Sequence, residues 1–278
     1  MGAETGAQPG WPEIEAETGL GADALRAGLE GRPHLAAWVA GSLVEGLGTP
    51  NSDVDVFVLV PGHEGGATRV NDDYRVDVRF AAARRVDYEL WSLDTVDAMA
   101  AKFAALPLED PESNVCDALS EHEVLFMTRL HLSLPLAPRE TAEETVRALR
   151  SRFDRDRLVA YLVENRRHYV DDAFDDAVGF CLAGDFASAA LRARDTAEFA
   201  VDLLLHDRGL LNVRHKYRRA IFDRARASWP DLGPAYERYW ALSSGIPATA
   251  AGQQDFVARS LDFVERIVTH VQDRRAAS

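Results

Sequence analysis

Apolar and polar positions alternate with a period of two in a few early segments, and with a helical period after residue 135. The apolar run 34–40 reads as a strand that enters the small-residue pair Gly41-Ser42. Ser42 is then expected to start a short helix, and residues 53–60 to form the next strand. Segments 67–70 and 74–80 alternate like the arms of a hairpin around Asn71-Asp72-Asp73. In the second arm Arg75, Asp77 and Arg79 share one face, while Val76, Val78 and Phe80 share the other. Helices are predicted at 23–29, with Asp23 as N-cap, at 86–106 and at 113–132. Residues 134–138, Leu-Pro-Leu-Ala-Pro, read as a linker.

Beyond the linker the helical segments are 142–149, 157–171, 175–182, 186–206, 217–227 and 256–271. Gly184 stops one of them and Asp185 caps the next, and Gly209 closes the longest. The pattern therefore predicts an α/β domain with a small mixed sheet at 1–135, followed by an all-α helical bundle at 136–278. Residues 1–12 read as a disordered lead-in.

Composition narrows the classes. A chain of 278 residues can bury one large core or two medium ones. No apolar run approaches a membrane span, and the first residues lack a signal-peptide pattern. Cys116 and Cys181 are isolated from one another, as in a reduced cytoplasmic protein. The formal charge of −14 argues against general nucleic-acid binding, which needs a basic surface. Lys102 and Lys216 are the only lysines, and neither sits in a Gly-Lys-Ser/Thr phosphate loop. The chain contains no Gly-x-Ser-x-Gly elbow and no His-Glu-x-x-His helix.

The chemistry concentrates at residues 40–55. Asp53 and Asp55 alternate with Val54 and Val56, so both carboxylates point to one face of a strand. Paired acids on an apolar strand call for a cation, and oxygen donors suit Mg²⁺. Ala40-Gly41-Ser42, a ten-residue spacer with Gly46, Gly48, Thr49 and Ser52, and Asp53-Val54-Asp55 resemble the signature of DNA polymerase β-like nucleotidyltransferases. The antibiotic-modifying nucleotidyltransferases share that signature.

The resemblance implies transfer of a nucleoside monophosphate from a triphosphate, ATP being the usual donor, to an acceptor hydroxyl. It implies two Mg²⁺ ions held by Asp53, Asp55 and a third acid on a neighbouring strand, for which Asp77 has the right pattern. For Asp77 to serve, the polar face of its strand must line the cleft. Asp77 then ligates the metal nearest the acceptor or takes its proton. Gly41 and Ser42 are expected to cradle the triphosphate, with Ser52 either helping or closing a turn. In the antibiotic enzymes a lysine from the helical half reaches the triphosphate across the cleft between domains, which makes Lys216 the candidate here. Arg192 and Arg194 are weaker candidates, expected to pair with acids on their own helix.

The acceptor is expected to be a small molecule, such as an aminoglycoside-like antibiotic or a biosynthetic metabolite. A protein or RNA acceptor, as in toxin–antitoxin systems, is the alternative on the same fold. Some of the antibiotic enzymes complete their sites across a homodimer. A different class is a HEPN-like ribonuclease, from the spacing of Arg208 and His215, although Gly209 should break that spacing.

Overall fold

The computed structural model describes residues 9–62, 68–70, 74–110, 113–212 and 214–276. These form two compact units. One comprises the described residues up to Leu106 together with Leu119–Arg155. The other comprises Pro107–Ala118 and Asp156–Ser278, as far as these are described.

The first unit is built on a six-stranded sheet. Its strands are β1 (Ala36–Ala40), β2 (Val54–Val60), β3 (Thr68–Arg69), β4 (Tyr74–Ala81), β5 (Arg84–Ser92) and β6 (Leu134–Ala137), in the spatial order β3-β4-β5-β2-β1-β6. β2 and β5 are parallel, and every other pair is antiparallel. This is the mixed sheet expected. The hairpin of β3 and β4 forms as predicted, although its turn at 71–73 lies outside the described residues.

Several boundaries differ from the sequence reading. Residues 86–106 are not one helix: β5 runs to Ser92, whose Oγ accepts from Thr95 N and caps α3 (Leu93–Ala104). The segment 113–132 is helical only as α4 (Glu121–His131), started by the reciprocal cap of Ser120 and Glu123. Residues 134–137 are no linker. They form the edge strand β6 against β1, where Pro135 can lack an N–H at little cost. The first unit therefore keeps α5 (Ala142–Arg152) as well. Ser42 opens a single turn closed by Glu45 N to Gly41 O, not a helix. Ahead of the sheet lie α1 (Trp11–Thr18), which the sequence reading missed, and α2 (Ala22–Ala27). Gly21, not Asp23, is the N-cap of α2.

The register sorts the side chains into two faces. Val39, Val54, Val56, Val58, Val86, Tyr88 and Leu90 pack under Ile14, Leu20, Leu25 and Leu29. The opposite face carries Trp38, Phe57 and Trp91, closed by Phe126 of α4 and Phe153. Towards the N-terminal ends of β2 and β5, this second face turns from aromatic to acidic.

The second unit is all-helical: α6 (Arg155–Leu182), α7 (Phe186–Asp207), α8 (Arg218–Ser228), α9 (Gly233–Ser243) and α10 (Ala250–Ala276). α6 is one helix where two were expected, because the Asp171–Asp175 stretch contains no breaker. Asp185 caps α7 through Ser188 N. The small residues Ala189, Ala193, Ala197 and Ala200 of α7 lie buried, as do Phe256, Phe263 and Ile267 of α10, which runs along it. None of the described helices is long and apolar enough to cross a membrane.

Candidate active site

Gly41 follows β1 with φ of +91°, a conformation that side chains other than glycine resist. A Cβ placed there would lie 2.1 Å from Asp55 Oδ2. Gly41 thus serves two purposes: it lets the backbone turn, and it lets the turn sit directly against the acid of the next strand.

Asp53 ends the loop and Asp55 is the second residue of β2, so the alternation read from sequence holds. The third acid is a correction. In β4, Asp77 pairs with Tyr88 of β5, and Asp55 pairs with Asp87. Cross-strand partners share a face. Asp77 therefore lies on the Tyr88 face of the sheet, away from Asp55. It receives hydrogen bonds there from Arg32 NH2 at 2.6 Å and Arg79 Nε at 3.0 Å. Partial burial works against its charge, but the two arginines outweigh it and hold its carboxyl below the ordinary value. Asp77 is a structural ion-pair partner in this fold.

Asp87 takes the place expected of Asp77. It stands beside Asp55 in parallel register, one strand over. Arg85 grips it through Nε at 2.6 Å and NH2 at 2.7 Å. The Arg85 pKa is raised, first by the hydrogen bond and charge of Asp87 and then by the charges of Asp53 and Asp55. One guanidinium thus senses all three acids. Sequence reasoning missed Asp87 because it placed the residue in a helix. The alternation Val86-Asp87-Tyr88-Glu89-Leu90 was the signal that could have found it.

Ser52 closes the turn before Asp53: its Oγ accepts from Thr49 N at 2.9 Å. This contact belongs to the turn, one of the two roles expected of Ser52. Ser42 is half-buried beside Gly41, and its carbonyl accepts from Leu47 N at 2.7 Å. Lys216 belongs to the helical unit, where it is exposed and its Nζ lies 4.7 Å from the centre of the Tyr217 ring. Arg192 reaches Asp176 of α6 at 2.9 Å rather than an acid of its own helix. Arg208 and His215 engage different partners: Arg208 bonds Asp231 and His270, while His215 faces Glu198 and Arg218.

Residues 29–148, which contain the Gly41 turn and all three acids, match the family model described as a nucleotidyltransferase domain. They are a nucleotidyltransferase domain. The resemblance read from the signature residues is thereby shown, and nucleotidyl transfer is the domain's chemistry. A crystal structure of a nucleotidyltransferase-like protein from Exiguobacterium sibiricum 255-15 is similar at 13% identity. The match covers 91% of this chain and 75% of that one, with a TM-score of 0.49. No curated protein matches the chain.

A nucleotidyltransferase domain typically works with a nucleoside triphosphate and a divalent metal. The donor chemistry suits such an ion: Asp53, Asp55 and Asp87 offer carboxylate oxygen, with the Gly41 turn seated against Asp55. Among the described residues no three His, Cys, Asp or Glu side chains are gathered closely enough to hold a metal ion as they stand. Guanidinium groups are the positive partners instead: Arg85 on Asp87, and Arg129 NH2 at 3.4 Å from Asp55 Oδ2.

Arg129 also bonds Glu89 Oε1 at 3.1 Å and lies over the Phe57 ring. Burial drives the Glu89 carboxyl up to about 7, against the pull of Arg129 and with help from the Asp55 charge. Between its ordinary 4.5 and about 7, the folded protein keeps a proton that the unfolded chain releases. Glu89 therefore favours the fold fully below that window and loses its contribution as pH rises through it. Relative to the wild type, Glu89→Gln is expected to gain on the order of 2 kcal/mol as pH is raised from about 5 to about 8. Denaturant unfolding of both proteins at the two pH values measures this. Parallel pH dependence would contradict it.

Proposed function

We propose that this nucleotidyltransferase moves a nucleoside monophosphate, AMP from ATP, onto a hydroxyl of a small molecule and releases pyrophosphate. The observation that carries the reading is the positive-φ Gly41 turn pressed against Asp55, with Asp87 beside Asp55 in register. Asp53, Asp55 and Asp87 would hold two Mg²⁺ ions. Such ions, when bound, neutralise charge on the phosphoryl oxygens and the leaving group.

The chain's own residues do the rest. The turn at Gly41-Ser42 presents backbone to the triphosphate without a side chain in the way. In this reading Asp87, on the strand farther from that turn, accepts the proton of the acceptor hydroxyl. A cationic acceptor such as an aminoglycoside-like antibiotic fits the acidic balance of the chain, and a biosynthetic metabolite is the other small-molecule class.

The test is incubation with Mg²⁺, each NTP in turn, and a panel of aminoglycosides and lincosamides. Pyrophosphate release and the mass of the acceptor are followed together. The expected result is release with a nucleotide-sized mass gain on one acceptor class. Absence of both NTP binding and pyrophosphate release would overturn the reading.

A further inference from the structure

β4 is amphipathic in the wrong sense for a strand that covers a core. Its charged face, Arg75, Asp77 and Arg79, lies on the side of Tyr88, above the packed residues. Its apolar face, Val76, Val78 and Phe80, lies on the side of the acids. There Val78 is 45% exposed and Phe80 is 74% exposed. Solvated apolar side chains in a row are informative where single ones are not. These are placed by register: Val78 is the cross-strand partner of Asp87, and Phe80 that of Arg85.

The strand order supplies the direction. Across the sheet lie β1 with its Gly41 turn, then β2 with Asp55, then β5 with Asp87, then β4. Neighbouring strands are about 4.8 Å apart. In phosphoryl transfer the attacking and leaving oxygens lie roughly in line across the phosphorus. With the pyrophosphate leaving on the Gly41 side, the acceptor must enter over β5 and β4.

We infer that Val78 and Phe80 are the acceptor platform, and that the acceptor is an amphiphile with an aromatic or alkyl face beside its reactive hydroxyl. This rests on the nucleotidyl-transfer reading proposed above. In the step itself the acceptor oxygen bonds to the α-phosphorus, the α-phosphorus–oxygen bond to pyrophosphate breaks, and the acceptor proton passes to Asp87. The apolar pair sets which molecule arrives there and takes no part in the bond changes.

The test is equilibrium dialysis with two probes, an aryl β-glucoside carrying a methylumbelliferyl group and plain methyl β-glucoside, with Mg²⁺ and a non-hydrolysable ATP analogue present. The wild type is expected to bind the aryl probe at least about tenfold more tightly than the methyl one. Phe80→Ser should erase that preference, and Phe80→Leu should keep most of it. Both substitutions are at the surface, so the fold should survive, and thermal unfolding checks that it does. Equal binding of the two probes, or a preference untouched by Phe80→Ser, overturns the inference. So does a dimer that Phe80→Ser splits into monomers, since the face would then be a subunit contact. Binding of the ATP analogue is read in the same samples. Its loss in the wild type strikes the nucleotidyl-transfer reading, whereas a lost aryl preference with intact ATP binding strikes the platform alone.

Discussion

Asp55→Asn is expected to lower nucleotidyl transfer by about a thousandfold while leaving the fold intact. The substitution keeps the shape of the side chain and removes its charge. Charge neutralisation at the reacting phosphate is the largest contribution an enzyme of this kind makes, and loss of one well-placed group typically costs about 10²–10³ in rate. Asp55 is half-buried at the mouth of β2, and the core strand continues behind it from Val56 to Val60. Its partner Arg129 keeps its hydrogen bond to Glu89 Oε1 and its place over the Phe57 ring. Steady-state pyrophosphate release and thermal unfolding, measured on one preparation, check both halves. A rate within tenfold of wild type would contradict the assignment, and so would an unfolded protein.

The largest effect on stability is expected in the helical unit, at Asp202. This carboxylate is 2% exposed and accepts from Arg218 Nε at 2.6 Å and NH2 at 3.0 Å, with Arg166 nearby at 3.7 Å. Arg218 is itself 4% exposed and also bonds Glu198. Burial works against the Arg218 charge, but the hydrogen bonds and charge of Asp202 overcome it and raise its pKa. The forked geometry keeps the pair ionised. Neutralising Asp202 leaves Glu198 as the acid still on the buried Arg218, whose Nε and NH2 lose their ionised acceptor. Asp202→Asn is therefore expected to cost roughly 3–5 kcal/mol in denaturant unfolding. Replacing both members by apolar residues, Asp202→Leu with Arg218→Met, should restore much of that loss. A loss below about 1 kcal/mol for Asp202→Asn would mean the pair is better solvated than its burial indicates.

Asp202 and Arg218 could not be paired from sequence, because their partnership depends on how α7 and α8 meet. The active site was legible to a different depth at each residue. Asp53 and Asp55 could be placed together because a strand repeats every two residues, which requires only local geometry. Gly41 could be placed because a glycine between a strand and two acids has few other uses. Asp77 failed at the next level. Its own strand and its own face-mates were read correctly, but which face met Asp55 depended on register with β5.

β5 was hidden because the turn before it carries no turn signal. Ala82 and Ala83 adopt φ of +49° and +62°, the conformation that Asn and Gly normally supply in a two-residue hairpin. Without that punctuation, the strand 84–92 merged with the helix that follows. Residues 134–137 were lost to the opposite error: Pro135 and Pro138 suggested a linker, whereas the edge strand tolerates Pro135 and ends just before Pro138. The fold class survived these misreadings, since it depends on long-range periodicity rather than on any single boundary.

The choice between Asp87 and Asp77 can be measured without knowing the acceptor. Mn²⁺ can stand in for the divalent ion, and its binding can be titrated by electron paramagnetic resonance in the presence of a non-hydrolysable ATP analogue. Side by side, Asp87→Asn should weaken Mn²⁺ binding by about tenfold or more, and Asp77→Asn should leave it near wild type. The reverse order, with Asp77→Asn losing the metal and Asp87→Asn retaining it, would contradict the account.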